Sequence, residues 1–315
     1  MSPPAAIPVM VRVEDRAAFA TLTCPETGQP LERVGDALVT PDRTHTYPIV
    51  REIPRFVTSD HYVSSFSFEW NVHDHTQLDG FRADDSSERI FRDKTGLTPQ
   101  DVRGKLVLDA GIGAGRFADV LARWGAIVVG VDLSYAVEAA NVTFGGQPNV
   151  LVCQADIGCL PFRAGTFDFI VSIGVLHHTP DTRRYFDCLP RLLKPGGEIA
   201  IWVYPDEGDY ATRARWIPFT SRIPKQWYYS FCQVFVPWAL RRRHNRFVHH
   251  LRHLFPFSDQ GLGVENDVLD TFDGYSPRFH DVHSPAEVKD WFHAAGLTEI
   301  REHPWPTAVR GRRAA

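Results

Sequence analysis

The chain has 315 residues, enough for one large domain with an insertion or for two domains. Its 34 Lys and Arg against 38 Asp and Glu leave a formal net charge of −4, which weighs against a whole-chain nucleic-acid footprint. With 43% apolar and 23% charged residues, disorder as the main state is excluded.

No apolar run approaches the ~20 residues of a bilayer span, and the opening MSPPAAIPVM lacks the charged and apolar regions of a signal peptide. Five scattered cysteines (Cys24, Cys153, Cys159, Cys188 and Cys232) form no CxxC pair, so the expectation is a cytoplasmic protein with neither a disulfide framework nor a zinc cluster.

Taken in chain order, residues 1–60 are Pro-rich with short apolar alternations and predict a small β-rich extension. Residues 61–104 read as a helical lid or linker, in which Tyr62, Phe66 and Trp70 form an i, i+4, i+8 aromatic stripe. Such a stripe is either core packing or a lid over a cofactor, with Gln77 and Arg89 reaching inward. Residues 105–204 alternate β-type runs with helical patterns, the mark of βαβ units and a parallel sheet. The predicted strands are Lys105–Asp109, Ala126–Asp132, Asn149–Asp156, Phe167–Gly174 and Ile199–Tyr204, with Pro190 kinking the helix after the fourth. Residues 205–283 break the alternation and predict a helical insertion. The pattern resumes in 284–315, where Ser284-Pro285-Ala286-Glu287 is a capping box with Pro at the first helical position. Two short final strands, Leu297–Glu302 and Pro306–Arg310, follow.

The chemistry concentrates in Asp109-Ala110-Gly111-Ile112-Gly113-Ala114-Gly115-Arg116, between the first core strand and its helix. Glycines there permit a tight turn and the close approach of a ligand, outside the carboxyl ends of parallel strands, where open α/β sheets bind ligands. The spacing G-x-G-x-G departs from the dinucleotide fingerprint. A carboxylate two residues before the first glycine would repel a pyrophosphate but suits a ligand with an ammonium or sulfonium group. Asp132, ending the second strand, can accept both hydroxyls of a ribose. Asp156, ending the third, is placed for an adenine amino group.

With Leu106–Phe117, Val129–Leu133, Gln154–Asp156, Phe167–His178 and Leu192–Gly197 in this order and spacing, the sequence resembles the class I S-adenosylmethionine-dependent methyltransferases across about 100 residues. The resemblance implies a Rossmann-like, mostly parallel sheet of seven strands and S-adenosylmethionine as co-substrate. It also implies that Asp109, Gly111 and Gly113 line the methionine portion; Gly115 and Arg116 of the same motif are further candidate cofactor-binding residues. Asp132 and Leu133 would hold the ribose, and Asp156 and Ile157 the adenine. Ser172, Ile173 and Gly174 would lie beneath the sulfonium. In the lid reading of the aromatic stripe, Tyr62 covers the cofactor and Arg89 reaches the methionine carboxylate or the acceptor. Residues 22–57 resemble the zinc-ribbon-like leader of a bacterial subgroup, but only Cys24 stands where that leader carries two CxxC pairs. One thiolate cannot build a tetrahedral site, so no metal is expected.

Methyl transfer from a sulfonium needs alignment, exclusion of water and management of one proton. His177 and His178, after the fourth strand, and His283, before the last helix, are the candidate bases; His280 is a further neighbour. Residues 205–256 hold nine Lys/Arg against three acids, interleaved with aromatics. Three roles stay open for them: an ordinary helical cap, a substrate-recognition cap, or docking on an anionic partner such as a peripheral membrane surface. The expected acceptor is a small molecule (a sugar, polysaccharide precursor or natural product) methylated on O, N or C. The alternatives are an RNA methyltransferase that uses the Arg-rich insertion, and a non-catalytic S-adenosylmethionine-binding module. The sequence leaves the oligomeric state open.

Overall fold

Strands rich in Val, Ile and Leu that are buried on both faces suit a mostly parallel sheet sandwiched between helices. The computed structural model, which describes residues 10–57, 85–259 and 263–315, shows that arrangement. Four short strands, β1 (Glu32–Val34), β2 (Ala37–Val39), β3 (Thr46–Val50) and β4 (Ile53–Pro54), form an antiparallel N-terminal sheet in sequential order. Helices α1 (Ser86–Thr95) and α2 (Pro99–Val102) lead into the main sheet. That sheet alternates β5 (Leu106–Ala110), α3 (Arg116–Arg123), β6 (Ile127–Asp132), α4 (Ala136–Phe144), β7 (Val150–Gln154) and β8 (Phe167–Ile173). It continues with α5 (Thr182–Asp187) and β9 (Leu193–Trp202). After the insertion come α11 (Pro285–Ala294), β10 (Leu297–Glu302) and β11 (Ala308–Arg313).

The seven strands lie in the order β10-β11-β9-β8-β5-β6-β7. β5 to β9 run parallel and β11 is antiparallel to both β9 and β10. From β5 the chain builds outward to β7, then returns to place β8 on the other side of β5. The resulting switch point, where crossover loops diverge, is where such sheets open a crevice. The expected fold class is thus the observed one.

Most strand ends move by one or two residues, β7 for instance stopping at Gln154 rather than Asp156, and three further boundaries differ for reasons the structure shows. β9 begins at Leu193, six residues early, because Lys194–Gly197 continues the strand through an irregularity in its pairing with β8. The helix before it stops at Asp187, and Pro190 opens a separate 3₁₀ turn, Pro190–Leu192. The last strand is Ala308–Arg313 because Trp305 and Thr307 make the turn.

The N-terminal sheet shares one apolar core with the main sheet, in which Leu22, Leu38, Tyr47 and Ile49 join Val131, Leu151 and Phe162. Arg55 pairs alongside Gln154 and Leu22 against Phe162. Arg16, buried at 3% exposure, donates to the carbonyls of Phe144, Gly145, Gln147 and Val150. It thereby satisfies the end of α4 and the turn into β7. Cys24 shares a hydrogen bond with the Tyr47 hydroxyl at 3.1 Å. Among the described residues no group of three acids, cysteines or histidines is arranged to hold a metal ion.

The insertion is helical: α6 (Gly208–Ala214), α7 (Ile217–Thr220), α8 (Lys225–Arg241), α9 (Arg246–Leu254) and α10 (Val264–Asp273). It has its own core of Tyr228, Cys232, Val236, Val248, Phe257, Phe272 and Tyr275. Its two ends are fastened together, since Pro205 bridges His283, Asp206 donates to the His283 carbonyl (3.0 Å) and His283 donates to Tyr204 (2.9 Å).

Replacing Arg16 with Met would strip a buried donor from the carbonyls of Phe144, Gly145, Gln147 and Val150, three of which keep only the backbone N–H of Gln147, Val11 or Val150. Urea unfolding is expected to show a loss of about 2–4 kcal/mol, with the β7 end of the sheet exchanging its amide protons fastest.

Candidate functional site

The loop after β5 is shaped by glycine backbones at φ 99° (Gly111), 55° (Gly113) and 101° (Gly115). At two of these the missing Cβ makes room for protein. A Cβ on Gly111 would meet Val175 Cγ2 at 2.2 Å, and one on Gly115 would meet the Phe144 ring at 2.3 Å. The sequence reading assigned that space to a ligand; packing against the neighbouring loop and α4 takes it instead. Gly111 and Ile112 donate to the Val131 carbonyl (2.8 and 3.0 Å), which bends the loop over the end of β6.

Three carboxylates stand at the tips of the adjacent strands. Asp132 accepts from Gly113 N–H (2.9 Å) through one oxygen, and from Ser134 N–H and Oγ–H (2.8 and 2.7 Å) through the other. Burial still pushes its pKa up against those bonds. Asp109 is only 3% exposed, and its Oδ2 has no hydrogen-bond partner among the described residues. Burial first and the neighbouring Asp132 charge second raise its pKa to about 7, opposed by the Ala118 amide. Asp156 accepts from Gly158 N–H (2.8 Å), capping the turn Ile157–Cys159, and from the Tyr185 hydroxyl (3.3 Å).

The other expected cofactor residues divide. Leu133 and Ile157 are buried beside Asp132 and Asp156, and the Leu133 carbonyl accepts from Gln154 Nε2 (2.9 Å). Ser172 is fully buried and donates to the Ala110 carbonyl (2.8 Å), so its hydroxyl joins β8 to β5. Ile173 and Gly174 end β8, and Gly174, at φ 81°, donates to the Trp202 carbonyl (3.0 Å). Arg116 opens α3 and donates to Ser87 Oγ (3.0 Å). Arg89 is exposed on α1 and faces Asp85 at 3.6 Å, with no hydrogen bond or ion pair to the strand-tip residues. Tyr62, Phe66, Trp70 and Gln77 fall outside the described residues.

The histidines form a cluster beyond β8 and β9. His177 and His178 lie in the turn Leu176–His178, with ring centroids 4.1 Å apart. His280 approaches His178 at 5.8 Å. Tyr204 stacks on His177 at 3.6 Å and meets His280 at 4.8 Å. Hydrogen bonds set the tautomers. His177 Nδ1 accepts from Tyr204 N–H (3.3 Å), which puts the ring proton on Nε2. His178 Nδ1 lies 2.9 Å from the Phe279 carbonyl, so it carries the proton and Nε2 carries the lone pair. Of the adjacent pair, His178 therefore has the tautomer of a base and His177 that of a donor. Burial lowers both pKa values, that of His178 to about 4 and that of His177 well below its ordinary value. His283 is set apart: Nδ1 meets Glu287 at 3.0 Å and the ring packs edge-on against Trp291 at 4.8 Å.

The sequence reading missed the far wall. Lys94, from α1, is 6% exposed and lies over the Trp202 ring at 3.2 Å and the Trp305 ring at 4.3 Å. It makes no ion pair or hydrogen bond among the described residues, and burial, reinforced by the Arg116 charge, pushes its pKa well down. Tyr210 packs on Tyr204 at 4.4 Å, and buried Arg213 reaches Asp270 at 3.5 Å. The one available signal was a lysine one turn after Phe91 on the buried side of α1, which is otherwise built of Ser86, Ser87 and Thr95.

Residues 108–201 match a family model described as methyltransferase domain. Among curated proteins the chain is similar to a ubiquinone biosynthesis O-methyltransferase of Coxiella burnetii, 39% identical over 100 residues, 31% of this chain and 43% of that protein. It is also similar to a demethylmenaquinone methyltransferase of Clavibacter sepedonicus, 33% identical over 116 residues, 36% of this chain and 47% of that protein. The match thus spans less than half the length of these relatives. A solved S-adenosylmethionine-dependent methyltransferase of Aquifex aeolicus is similar at 17% identity, covering 78% of this chain and 96% of that one with a TM-score of 0.42. One from Mesorhizobium loti is similar at 17% identity, covering 68% and 93% with a TM-score of 0.41.

The buried imidazoles carry a pH signature. His178, at about 4, and His280, at about 3, bind protons in the unfolded chain below about 6.5 but not in the native one. The native state therefore holds fewer protons in that window, and their contribution to stability is lost as pH falls from about 6.5 toward 4. Asp109 partly offsets this, because its raised pKa works in the opposite direction. His280→Asn is expected to flatten the fall in unfolding free energy by about one proton, read from denaturant melts across that range.

Proposed function

We infer that this chain, which carries a class I methyltransferase domain at residues 108–201, transfers a methyl group from S-adenosylmethionine to a small-molecule acceptor, with oxygen the favoured atom. The observation that carries this reading is Asp109: a buried carboxylate with an unpartnered oxygen, at the mouth of a glycine turn, beside a second carboxylate. Two neighbouring buried acids favour a cationic guest. An ammonium that pairs with Asp109 would ionise it and satisfy the free oxygen. Asp132 retains lone pairs for two ribose hydroxyls while anchoring the loop, and Asp156 offers the same to an adenine amino group.

S-adenosylmethionine supplies an electrophilic methyl, so the protein's work is positioning and proton removal. His178 Nε2 is the acceptor for the hydroxyl proton. His177 Nε2–H, buried without a partner among the described residues, donates to the acceptor oxygen and fixes its angle. The His178 imidazole is neutral at pH 7 and so can take up a proton, although the burial that keeps it neutral also makes it a weaker base than a free imidazole. Trp202, Tyr204 and Tyr210 pack against one another beside the imidazoles and would offer a flat acceptor an aromatic surface, with the Phe279 carbonyl held against His178 from the insertion side. The relatives named for O-methylation support oxygen over nitrogen or carbon.

Calorimetry with S-adenosylhomocysteine tests the cofactor half. Asp109→Asn, isosteric with the protonated acid, is expected to keep the fold and lose about 10–100-fold in affinity. Asp132→Ala should bring binding below detection. In the unsubstituted chain affinity should fall about tenfold from pH 8 to pH 6 as Asp109 takes up its proton. Undiminished binding by both variants would sink the assignment. For the chemical half, His178→Gln is expected to lower kcat by about 10²–10⁴-fold at constant cofactor affinity, whereas equal losses in kcat and cofactor binding would mark His178 as a structural residue.

A further inference from the structure

We propose that the outer face of α8 and α9 is a docking surface for an anionic lipid bilayer. Ten of the fourteen large hydrophobic side chains exposed among the described residues lie between 216 and 264, so the exposure is concentrated in the insertion. On α8 they follow a helical period. Trp227 (74% exposed), Phe231 (47%), Val234 (74%) and Trp238 (36%) sit at i, i+4, i+7 and i+11. At ~100° per residue they fall within an arc of about 60°. The buried stripe of the same helix, Tyr228, Cys232, Val236 and Ala239, is centred about 125° away. The helix thus has two apolar faces, and the insertion's core uses only one. On α9, Phe247 (67%) and Leu254 (59%) repeat the pattern at i and i+7, while Val248 turns inward.

The charge around the stripe selects the occupant. From residue 225 to residue 256 there are six Lys or Arg and no Asp or Glu. Arg241 and Arg242 fall about 50° to either side of the α8 stripe, and the Arg242 guanidinium lies 5.3 Å from the Trp238 ring. An apolar ridge bearing two tryptophans and bordered by arginines matches the boundary between headgroups and acyl chains. A second copy of the same face would bring Arg241 and Arg242 against their own kind, the carboxylate of Asp259 being already engaged by Arg243 (3.4 Å) and Arg252 (3.6 Å). Single-stranded RNA would use the rings but gain nothing from the aliphatic Val234 and Leu254 between them. No helix among the described residues is long and apolar enough to cross a membrane, so the contact proposed is peripheral. It does not depend on the identity of the methyl acceptor.

Flotation of the full chain with vesicles tests the proposal. Binding to phosphatidylcholine vesicles containing phosphatidylglycerol at low salt is expected, with a loss of at least about tenfold on phosphatidylcholine alone or at high salt. The triple variant Trp227→Ser, Phe231→Ser, Trp238→Ser alters only outward side chains. It should keep the far-ultraviolet circular dichroism and S-adenosylhomocysteine affinity of the parent while losing the vesicles. Should that variant fail to fold, Arg241→Gln with Arg242→Gln gives the same reading, with an expected loss of about 30-fold. The proposal is overturned if the chain stays unbound at low salt, or if the folded aromatic and arginine variants float like the parent. It also falls if the aromatic variant instead abolishes a dimer seen by sedimentation or the retention of a uridine oligonucleotide.

Discussion

The carboxylate of Asp132 is the constraint on which the candidate site depends. It reaches back from the end of β6 to hold the Gly113 amide, while Ser134 pins its other oxygen. One acid thereby fixes the path of the glycine loop and the distance between the tips of β5 and β6. That distance leaves Asp109 buried beside a like charge, a cost no residue described around it removes. The fold stores an electrostatic demand for a cation at the place where the sheet opens. The same loop is steadied by packing, through Val175 against Gly111 and Phe144 against Gly115. Val175 immediately precedes the turn that carries His177 and His178. The glycine loop and the imidazole pair are therefore parts of one packed unit, and a displacement of either is felt by the other.

The histidine cluster has a different origin. Its residues come from far apart in the chain: Lys94 before the sheet, Trp202 and Tyr204 from β9 onward, Arg213 from the insertion and His280 from its return. What gathers them is the fastening of Tyr204–Asp206 to His283. Because that fastening crosses directly over His177, whose carbonyl accepts from Asp281 (3.0 Å), the insertion holds the imidazoles as well as roofing them.

This division explains what the sequence made legible. The strands from β5 to β8 announce themselves through unbroken β-branched runs, and three acids and three glycines mark the ends of the first three. Local pattern and tertiary role coincide there, as at Ser284 and its capping of Glu287. The roles within the loop were less legible, since only coordinates show that Val175 and Phe144 fill the space left by Gly111 and Gly115. Side-chain tautomers were invisible as well: His177 and His178 are adjacent and chemically identical in sequence, and become donor and base only through Tyr204 N–H and the Phe279 carbonyl. Lys94 and Arg213 carried no local mark because their significance lies in what other segments bring to them. β9 began early for a similar reason: Leu193 pairs with Phe167 ahead of the glycine-rich segment, which the strand carries as an unpaired irregularity before pairing resumes at Glu198.

The pairing of Arg55 alongside Gln154 has a consequence for the molecule's life in a crowded solution. β7 is the last strand on its side, and its unpaired amides and carbonyls would be a template for any passing extended chain. The Phe56 amide already occupies the Gln154 carbonyl, and the Arg55 guanidinium is braced by Glu138. The N-terminal sheet, whatever else it does, is a selvedge: it finishes the border so that the fabric does not ravel into its neighbours.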